Sequence, residues 1–312
     1  MKVNPYIKLL RMDHWIKNLF MLPGVAIAAT FNSVSATKII NSEIIMSVTL
    51  AFISLCIASS ANYTINEWLD RDLDRLHPHK QHRIASHYSF SAIKVWGQYA
   101  VLVVVVILFF MSQHWSVNFY LASLLIMGIL YNVKPIRLKD HHYADVISES
   151  INNPIRFAIG WHAVSPSLPV PVSAFFAFWG GGVFLMSLKR YSEMIIVNDQ
   201  LLLSQYRKSF KNWSPNKLIA FAFSGGLVSM NFMGIMLVKY RLEYILVVPP
   251  LILMFVEYLK MSLKVDLASI APEKLMKKSN LQLMVLLVTF CFVVFSFIDL
   301  PFLETFVSTN NE

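Results

Sequence analysis

NYTINEWLDRDLDRLHPHK, residues Asn62 to Lys80, continues from an apolar run of membrane-spanning length and turns dense with acids and bases within a few residues. Asn62, Asn66, Asp70 and Asp74 recur every four residues, and residues four apart lie on nearly one face of a helix. The spacing predicts a helix that leaves the apolar phase carrying a stripe of oxygen donors, with Glu67 and Asp72 projecting from other sides. Three or four oxygen ligands at a membrane–water boundary suit a hard cation such as Mg²⁺, which takes a few carboxylates plus water and substrate phosphates. Lys80 and Arg83 follow, and could bind the outer oxygens of a phosphate or diphosphate. A solvated helix end with ordinary surface charges is the plainer alternative. The asparagine-led period of four, continuous with the apolar span, favours the metal–diphosphate site.

The rest of the chain fits a membrane setting. Its 312 residues are 56% hydrophobic and 14% charged, with a mean hydropathy of +0.55. That balance is too apolar for a soluble globule. The net charge of +9 then reflects basic loops facing the cytoplasm and sites for phosphate, with no need of nucleic acid. Nine apolar segments approach the ~20 residues needed to cross a bilayer: 19–37, 44–65, 92–112, 115–133, 144–164, 170–188, 217–238, 243–261 and 280–299. The expected fold is all-α, one membrane domain over 1–312. Cys56 and Cys291 lie inside apolar runs and read as packing residues. The first residues are basic and mixed, without the short apolar core and cleavage site of a removable signal peptide.

Charge tests the topology independently. The N-terminus and the loops after spans two, four, six and eight, with the span ends that adjoin them, hold 23 of the 27 lysines and arginines. The positive-inside rule then puts the N-terminus and those loops in the cytoplasm. The base-free tail with Asp299, Glu304 and Glu312 falls outside, as an odd number of spans requires.

The acidic stretch resembles a known family. Asn66-Glu67-Trp68-Leu69-Asp70-Arg71-Asp72-Leu73-Asp74 is similar to the NDxxDxxxD signature of the UbiA superfamily of intramembrane prenyltransferases. MDHWIKNLF (12–20), YNVKPIRLKD (131–140) and PIRFAIGW (154–161) resemble other segments of that family, so the likeness covers most of the chain. It implies a UbiA-type bundle of about nine helices. It also implies Mg²⁺ held at the cytoplasmic side to ionise a diphosphate, and a polyprenyl lipid lying in a groove open to the bilayer. Asn66, Asp70 and Asp74 would be metal ligands or partners of metal-bound water. Glu67, also expected among the metal residues, stands where the family usually has Asp, one methylene further out. The basic loop of 131–140 brings Tyr131, Lys134 and Arg137 to the border of the site, though Tyr131 is equally an interfacial anchor.

The second site departs from the aromatic prenyltransferases of the superfamily, which carry a DxxxD motif after span six. Here that region reads SLKRYSEMIIVNDQ, with Lys189, Arg190, Glu193 and Asp199. This KRxxE pattern, with His77-Pro78-His79-Lys80 and the opening WIKN, is more similar to the branch that moves phosphoribose from phosphoribosyl diphosphate onto a polyprenyl phosphate. Such substrates would use extra cations, and Lys80, Lys189 and Glu193 would join the catalytic set with Arg190 beside them. Positive-inside anchoring by Lys189 and Arg190, with Glu193 paired to Lys189 across one turn, explains the same residues.

Span five carries Asp145, Glu149, Asn152 and Arg156 on a helical stripe, and charges inside a span usually face the bundle and work there. Asp145 and Glu149 could join the metal site or orient a base, with Glu149 and Arg156 among the substrate-binding residues and Arg156 contacting a phosphate; an internal Glu149–Arg156 pair that only specifies packing is the alternative. His77, His79, His82, His87, His141 and His142 show no HExxH spacing and read as surface polarity. Gly180–Gly182 reads as close helix packing.

The leading expectation is therefore a Mg²⁺-dependent intramembrane transferase acting on a polyprenyl lipid with a diphosphate-bearing donor, in a bacterial inner membrane, with transfer of phosphoribose from phosphoribosyl diphosphate to a polyprenyl phosphate favoured. Its rivals are a prenyltransferase with an aromatic acceptor and a transporter. The latter would place charge near the bilayer midplane between inverted repeats, and no convincing repeat is visible.

Overall fold

The structure, a computed structural model, describes residues 4–31, 41–77, 80–240, 242–264 and 279–306. Pro78, His79, Lys38, Arg241 and the far end of the first predicted span lie outside them. All regular structure among the described residues is helical. After a 3₁₀ segment over Met12–Met21 come α1 (Leu22–Phe31), α2 (Ser42–Asp74), α3 (Ala92–Phe110), α4 (Trp115–Asn132), α5 (Ala144–Ser150) and α6 (Asn152–Val164). They are followed by α7 (Val172–Val197), α8 (Gln200–Tyr206), α9 (Pro215–Tyr240), α10 (Val248–Leu263) and α11 (Ser279–Phe297).

Among the described residues six helical segments are long and apolar enough to cross a bilayer: α2, α3, α4, α7, α9, and α10 with the 3₁₀ turn before it. The chain is an integral membrane protein by this measure and by the apolar side chains it leaves outside, such as Val101 and Leu108 at 63% and 64% exposure. Three expected spans take other forms among the described residues. The first is a 3₁₀ segment running into a ten-residue helix. The ninth is α11, whose 19 residues include the apolar stretch Asn280–Phe292. The fifth is broken at Ile151 into α5 and α6. Pro154 explains that break, since it has no N–H to return to the preceding turn and its ring crowds the carbonyl four residues back.

Helix α6 is the hub. Ile155, Ile159 and Ala163 pack with Leu55 and Ala58 of α2 and Leu121 of α4. Phe157 and Trp161, on another face, pack with Ile27 and Ala28 of α1, Ala174 of α7 and Met236 of α9. The α1–α6 crossing needs two glycines, since a Cβ on Gly24 would lie 2.0 Å from the Phe157 carbonyl oxygen and one on Gly160 2.0 Å from that of Met21. Gly180 meets Gly225 of α9 in the same way, so the triple glycine is a packing device. Cys56 and Cys291 are both free.

At 1.5 Å per residue, the 33 residues of α2 make a rod of about 50 Å, longer than the ~30 Å hydrocarbon core. Its polar last third therefore stands beyond the apolar belt. There it meets the α4–α5 and α7–α8 connections, and a satellite core of Val146, Met194, Leu203, Tyr206, Phe210 and Trp213 roofs the site.

Candidate active site

The polar end of α2 presents three buried carboxylates, Glu67, Asp70 and Asp74, and each already has a cation. Asp70 Oδ1 accepts from Arg137 Nη2 at 2.8 Å and Lys139 Nζ at 2.6 Å. Lys139 also donates to Asn66 Oδ1 at 3.1 Å and Asn132 Oδ1 at 2.8 Å, so one ammonium ties α2 to the end of α4. Burial depresses the Lys139 pKa to about 8, with Asp70 working against the drop. Asp74 Oδ2 accepts from Arg83 Nη1 at 2.7 Å. Burial opposes the Arg83 charge, but Asp74 beside it lifts the guanidinium above its ordinary pKa. Asp74 Oδ1 is buried and has no hydrogen-bond partner.

A second cluster is built from the ends of α4, α5 and α7. Asp145, fully buried, accepts from Arg190 Nε at 2.8 Å and Nη2 at 3.0 Å. It also accepts from Arg207 Nη1 at 2.6 Å, Tyr131 Oη at 2.9 Å and Ser209 Oγ at 3.1 Å. Asp145 holds the Arg207 guanidinium well above its usual pKa although burial works against the charge. Tyr131 Oη donates to Glu149 at 2.8 Å, and Arg190 Nη2 reaches the same carboxylate at 3.2 Å. Glu193 completes the network: it accepts from Arg190 Nη1 at 3.2 Å, lies 2.9 Å from His77 Nε2 and pairs with Lys80, which also meets Tyr206 Oη. Lys139 sits over the Tyr131 ring at 5.7 Å, so the two clusters are continuous.

Below them a cavity of about 80 Å³ enters the bundle between α2 and α4, lined by Asn62, Asn66, Tyr131, Glu149 and Arg156. Asn62 Nδ2 donates to the Leu124 carbonyl at 2.8 Å, while its buried Oδ1 has no partner and presses on Gly128. Arg156 donates from Nε to Asn18 Oδ1 at 3.1 Å, and Asn18 also accepts from Ser59 Oγ at 3.1 Å.

The structure thus gathers Asn62, Asn66, Asp70, Asp74, Lys80, Arg83, Tyr131, Arg137, Glu149, Arg156, Arg190 and Glu193 around one region. Lys189 is half-buried at its edge, with Glu149 and Lys17 the largest opposing and like charges acting on it. Glu67 is buried but turned to Arg11, 3.5 Å away. Lys134 is exposed, and Lys139 of the same loop occupies the interior position. Asp199 is also exposed; it caps α8 through the Leu202 N–H at 3.0 Å. Neither alternative ion pair forms: Glu193 takes Lys80, His77 and Arg190 in place of Lys189, and Arg156 takes Asn18 while Glu149 takes Arg190. His77 is likewise no surface residue, at 1% exposure.

The residues that the sequence pattern missed are Lys139, Arg207, Asn132 and Asn18. Lys139 lies within the basic loop that resembles the family, and only its burial separates it from Lys134. Asn18 likewise lies within the MDHWIKNLF segment that resembles the family, whereas Arg207 belongs to no quoted motif.

The family model of the UbiA prenyltransferase family matches residues 19–281. The chain belongs to this family. Among curated relatives, decaprenyl-phosphate phosphoribosyltransferases of Mycolicibacterium smegmatis and Corynebacterium glutamicum are each 27% identical, over 69% and 68% of this chain. The chain spans 64% and 60% of their lengths, just under two thirds. The nodulation protein NoeC of Azorhizobium caulinodans is 23% identical over 73% of the chain and 70% of its own length. Two structures of a UbiA homolog from Archaeoglobus fulgidus share the fold, one bound to Cd²⁺ and one to GPP and Mg²⁺. They align with TM-scores of 0.67 and 0.65 at 15% and 17% identity, each over 94% of this chain and all of the neighbour. On this fold the present chain carries a second cluster in which two arginines and a lysine converge on Asp145, Glu149 and Glu193.

Proposed function

We propose that this UbiA-family chain is a polyprenyl-phosphate phosphoribosyltransferase acting at the cytoplasmic side of a bacterial plasma membrane. In that reading the N-terminus is cytoplasmic, and α5–α6 counts as one of nine membrane segments. The observation that carries it is the second cluster. Where an aromatic prenyltransferase would place paired aspartates, this chain places Lys189, Arg190 and Glu193, and adds Arg207. Cations there, opposite the α2 carboxylates, suit a donor phosphorylated at both ends and an acceptor that is itself a phosphate. The relatives named for decaprenyl-phosphate phosphoribosyl transfer support the same substrates.

Among the described residues no three His, Cys, Asp or Glu side chains converge on one metal position. A magnesium ion needs fewer, because water and phosphate oxygens complete its shell. The unpartnered Asp74 Oδ1, with the hard oxygens of Asp70 and Asn66, fits such an ion. Those three residues would hold it, and when bound it supplies charge neutralisation for the leaving diphosphate. Magnesium in the archaeal homolog bound to GPP supports this choice.

The remaining chemistry falls to side chains of this chain. Arg137, Lys139 and Arg83 sit on carboxylates at the very place where a diphosphate would arrive, ready to meet its oxygens. Charge grows on those oxygens as the ribosyl C1–O bond breaks, so preorganised cations there lower the barrier. An oxygen of the lipid phosphate forms the new bond to C1 while the diphosphate leaves with the bonding pair. That oxygen is already anionic and needs no general base. Arg156, deep in the cavity between α2 and α4, holds the lipid phosphate, and Asp145 keeps Arg190 and Arg207 aimed at the donor.

Purified protein with polyprenyl phosphate, labelled phosphoribosyl diphosphate and Mg²⁺ should yield labelled lipid and one diphosphate per lipid. Absence of labelled lipid, with prenylation of an aromatic acceptor from a prenyl diphosphate, would overturn the assignment in favour of the other transferase.

A further inference from the structure

We propose that Glu67, which stands in the signature position of a metal-site acid, is instead the anchor of the N-terminal segment. Its carboxylate is 4% exposed and lies 3.5 Å from Arg11 Nε. It also accepts a hydrogen bond from the Ala85 backbone. Neither direct partner is among the groups that pair with Asp70 and Asp74, which are Arg137, Lys139 and Arg83, although the Arg83 charge also acts on Glu67. A buried carboxylate requires compensation, and Glu67 takes it from two segments that flank α2 on its outer side. The methylene that distinguishes it from Asp extends its reach in that direction.

Arg11 carries a second sign of being held. Its φ of 45° and ψ of 52° put a bulky residue in the left-handed region, a conformation that persists only where the surroundings enforce it. Immediately after it, residues 12–21 become a wall of the site. Trp15 Nε1 donates to Ser60 Oγ at 2.9 Å, Asn18 binds Ser59 and Arg156, and the charge of Lys17 acts on Glu149 and Lys189. The Arg11–Glu67 pair borders an open cleft of about 370 Å³ whose other lining includes Lys8, Asp13 and Arg83. Glu67 is therefore a positioning residue: it fixes the segment that presents Asn18 and Lys17.

The inference borrows from the proposed function only the expectation that Asp70 and Asp74 bind Mg²⁺, and the test separates the two. Amide hydrogen exchange of residues 12–21 is followed in full-length protein in detergent for wild type, E67Q, R11Q, the double variant and E67D. The thermal shift caused by Mg²⁺ is titrated in parallel, with D70N as reference. E67Q and R11Q should each speed exchange over 12–21 about tenfold, and the double variant no further, as expected for partners in one contact. E67D, with the charge but not the reach, should behave like E67Q. The Mg²⁺ midpoint should stay within about twofold in E67Q and R11Q. Unchanged exchange, additive effects, or an E67Q midpoint displaced as far as that of D70N would overturn the assignment. If D70N leaves the midpoint in place, the metal reading fails while the exchange data still judge the anchor. Should E67Q not fold, R11Q and E67D carry the same comparison.

Discussion

Asp145→Asn is the most demanding perturbation of the second cluster. The wild-type carboxylate is completely buried and accepts from Arg190, Arg207, Tyr131 and Ser209. Asparagine keeps the shape but removes the charge and turns an N–H₂ group toward two guanidiniums. Breaking a buried charge pair from one side costs about 3–5 kcal/mol, because the other side is left uncompensated. At about 2–4 °C per kcal/mol, the midpoint of thermal unfolding in detergent should fall by roughly 6–20 °C. Arg207→Gln is the partner for a double-mutant cycle, since Arg207 otherwise meets only the neutral Tyr131 at hydrogen-bond distance. The double variant should be destabilised no more than D145N alone. Transfer should be lost in both singles even at temperatures where they stay folded. A D145N loss below about 1 kcal/mol, or additivity within about 0.5 kcal/mol, would refute the idea that Asp145 organises these cations.

Further outcomes follow from other parts of the site. Asp70→Asn and Asp74→Asn should each lower kcat by about 10²-fold or more, as loss of transition-state charge stabilisation does, and the defect should be partly relieved by raised Mg²⁺; undiminished transfer at limiting Mg²⁺ would remove these residues from the metal site. Gly128→Ala places a Cβ about where Asn62 Oδ1 now lies, 2.0 Å away, so it should raise the acceptor KM with little change in kcat, measured by varying the lipid phosphate. The His14 pKa is held below its ordinary value by burial and then by Lys17 and Arg11. The unfolded chain therefore binds a proton below about pH 6.5 that the folded chain does not, and stability falls with pH at about 1.4 kcal/mol per unit there. His14→Gln should flatten that acid limb of the unfolding midpoint between pH 7.5 and 5.5; an unchanged limb would assign it to another group.

Much of this arrangement is legible in residue spacing, and the exceptions have physical reasons. The Asn66–Asp70–Asp74 stripe is legible because a helix of fixed period carries it and nothing interrupts α2 between Asn62 and Asp74. Span five was legible as a charged segment, but reading it as one helix aligns Glu149 with Arg156. The two form no ion pair, because each finds a partner elsewhere: Glu149 in Arg190 and Arg156 in Asn18. The loop after α4 shows a different limit. Arg137 adopts a φ of 35°, and that local reversal sends Lys139 inward while Lys134 stays exposed. No period encodes such a turn. Arg207 and Asn18 reach the site only through tertiary packing, across α8 and along the wall of α2. Family resemblance pointed to the neighbourhood of the second site through Arg190 and Glu193, yet it is the buried Asp145 that orients those cations.

The Asn18–Arg156 bond has a consequence for the order in which the protein is built. The two residues are separated by 138 positions, so the acceptor is synthesised long before the guanidinium that needs it. An arginine entering the middle of a bilayer costs about 2.5–3.5 kcal/mol on insertion scales. Here the nascent chain would already offer a polar berth, assembled from the opening segment and α2, when α6 arrives. A change at Asn18 would therefore be felt, through the loss of a partner for Arg156, by a helix that lies in the middle of the chain.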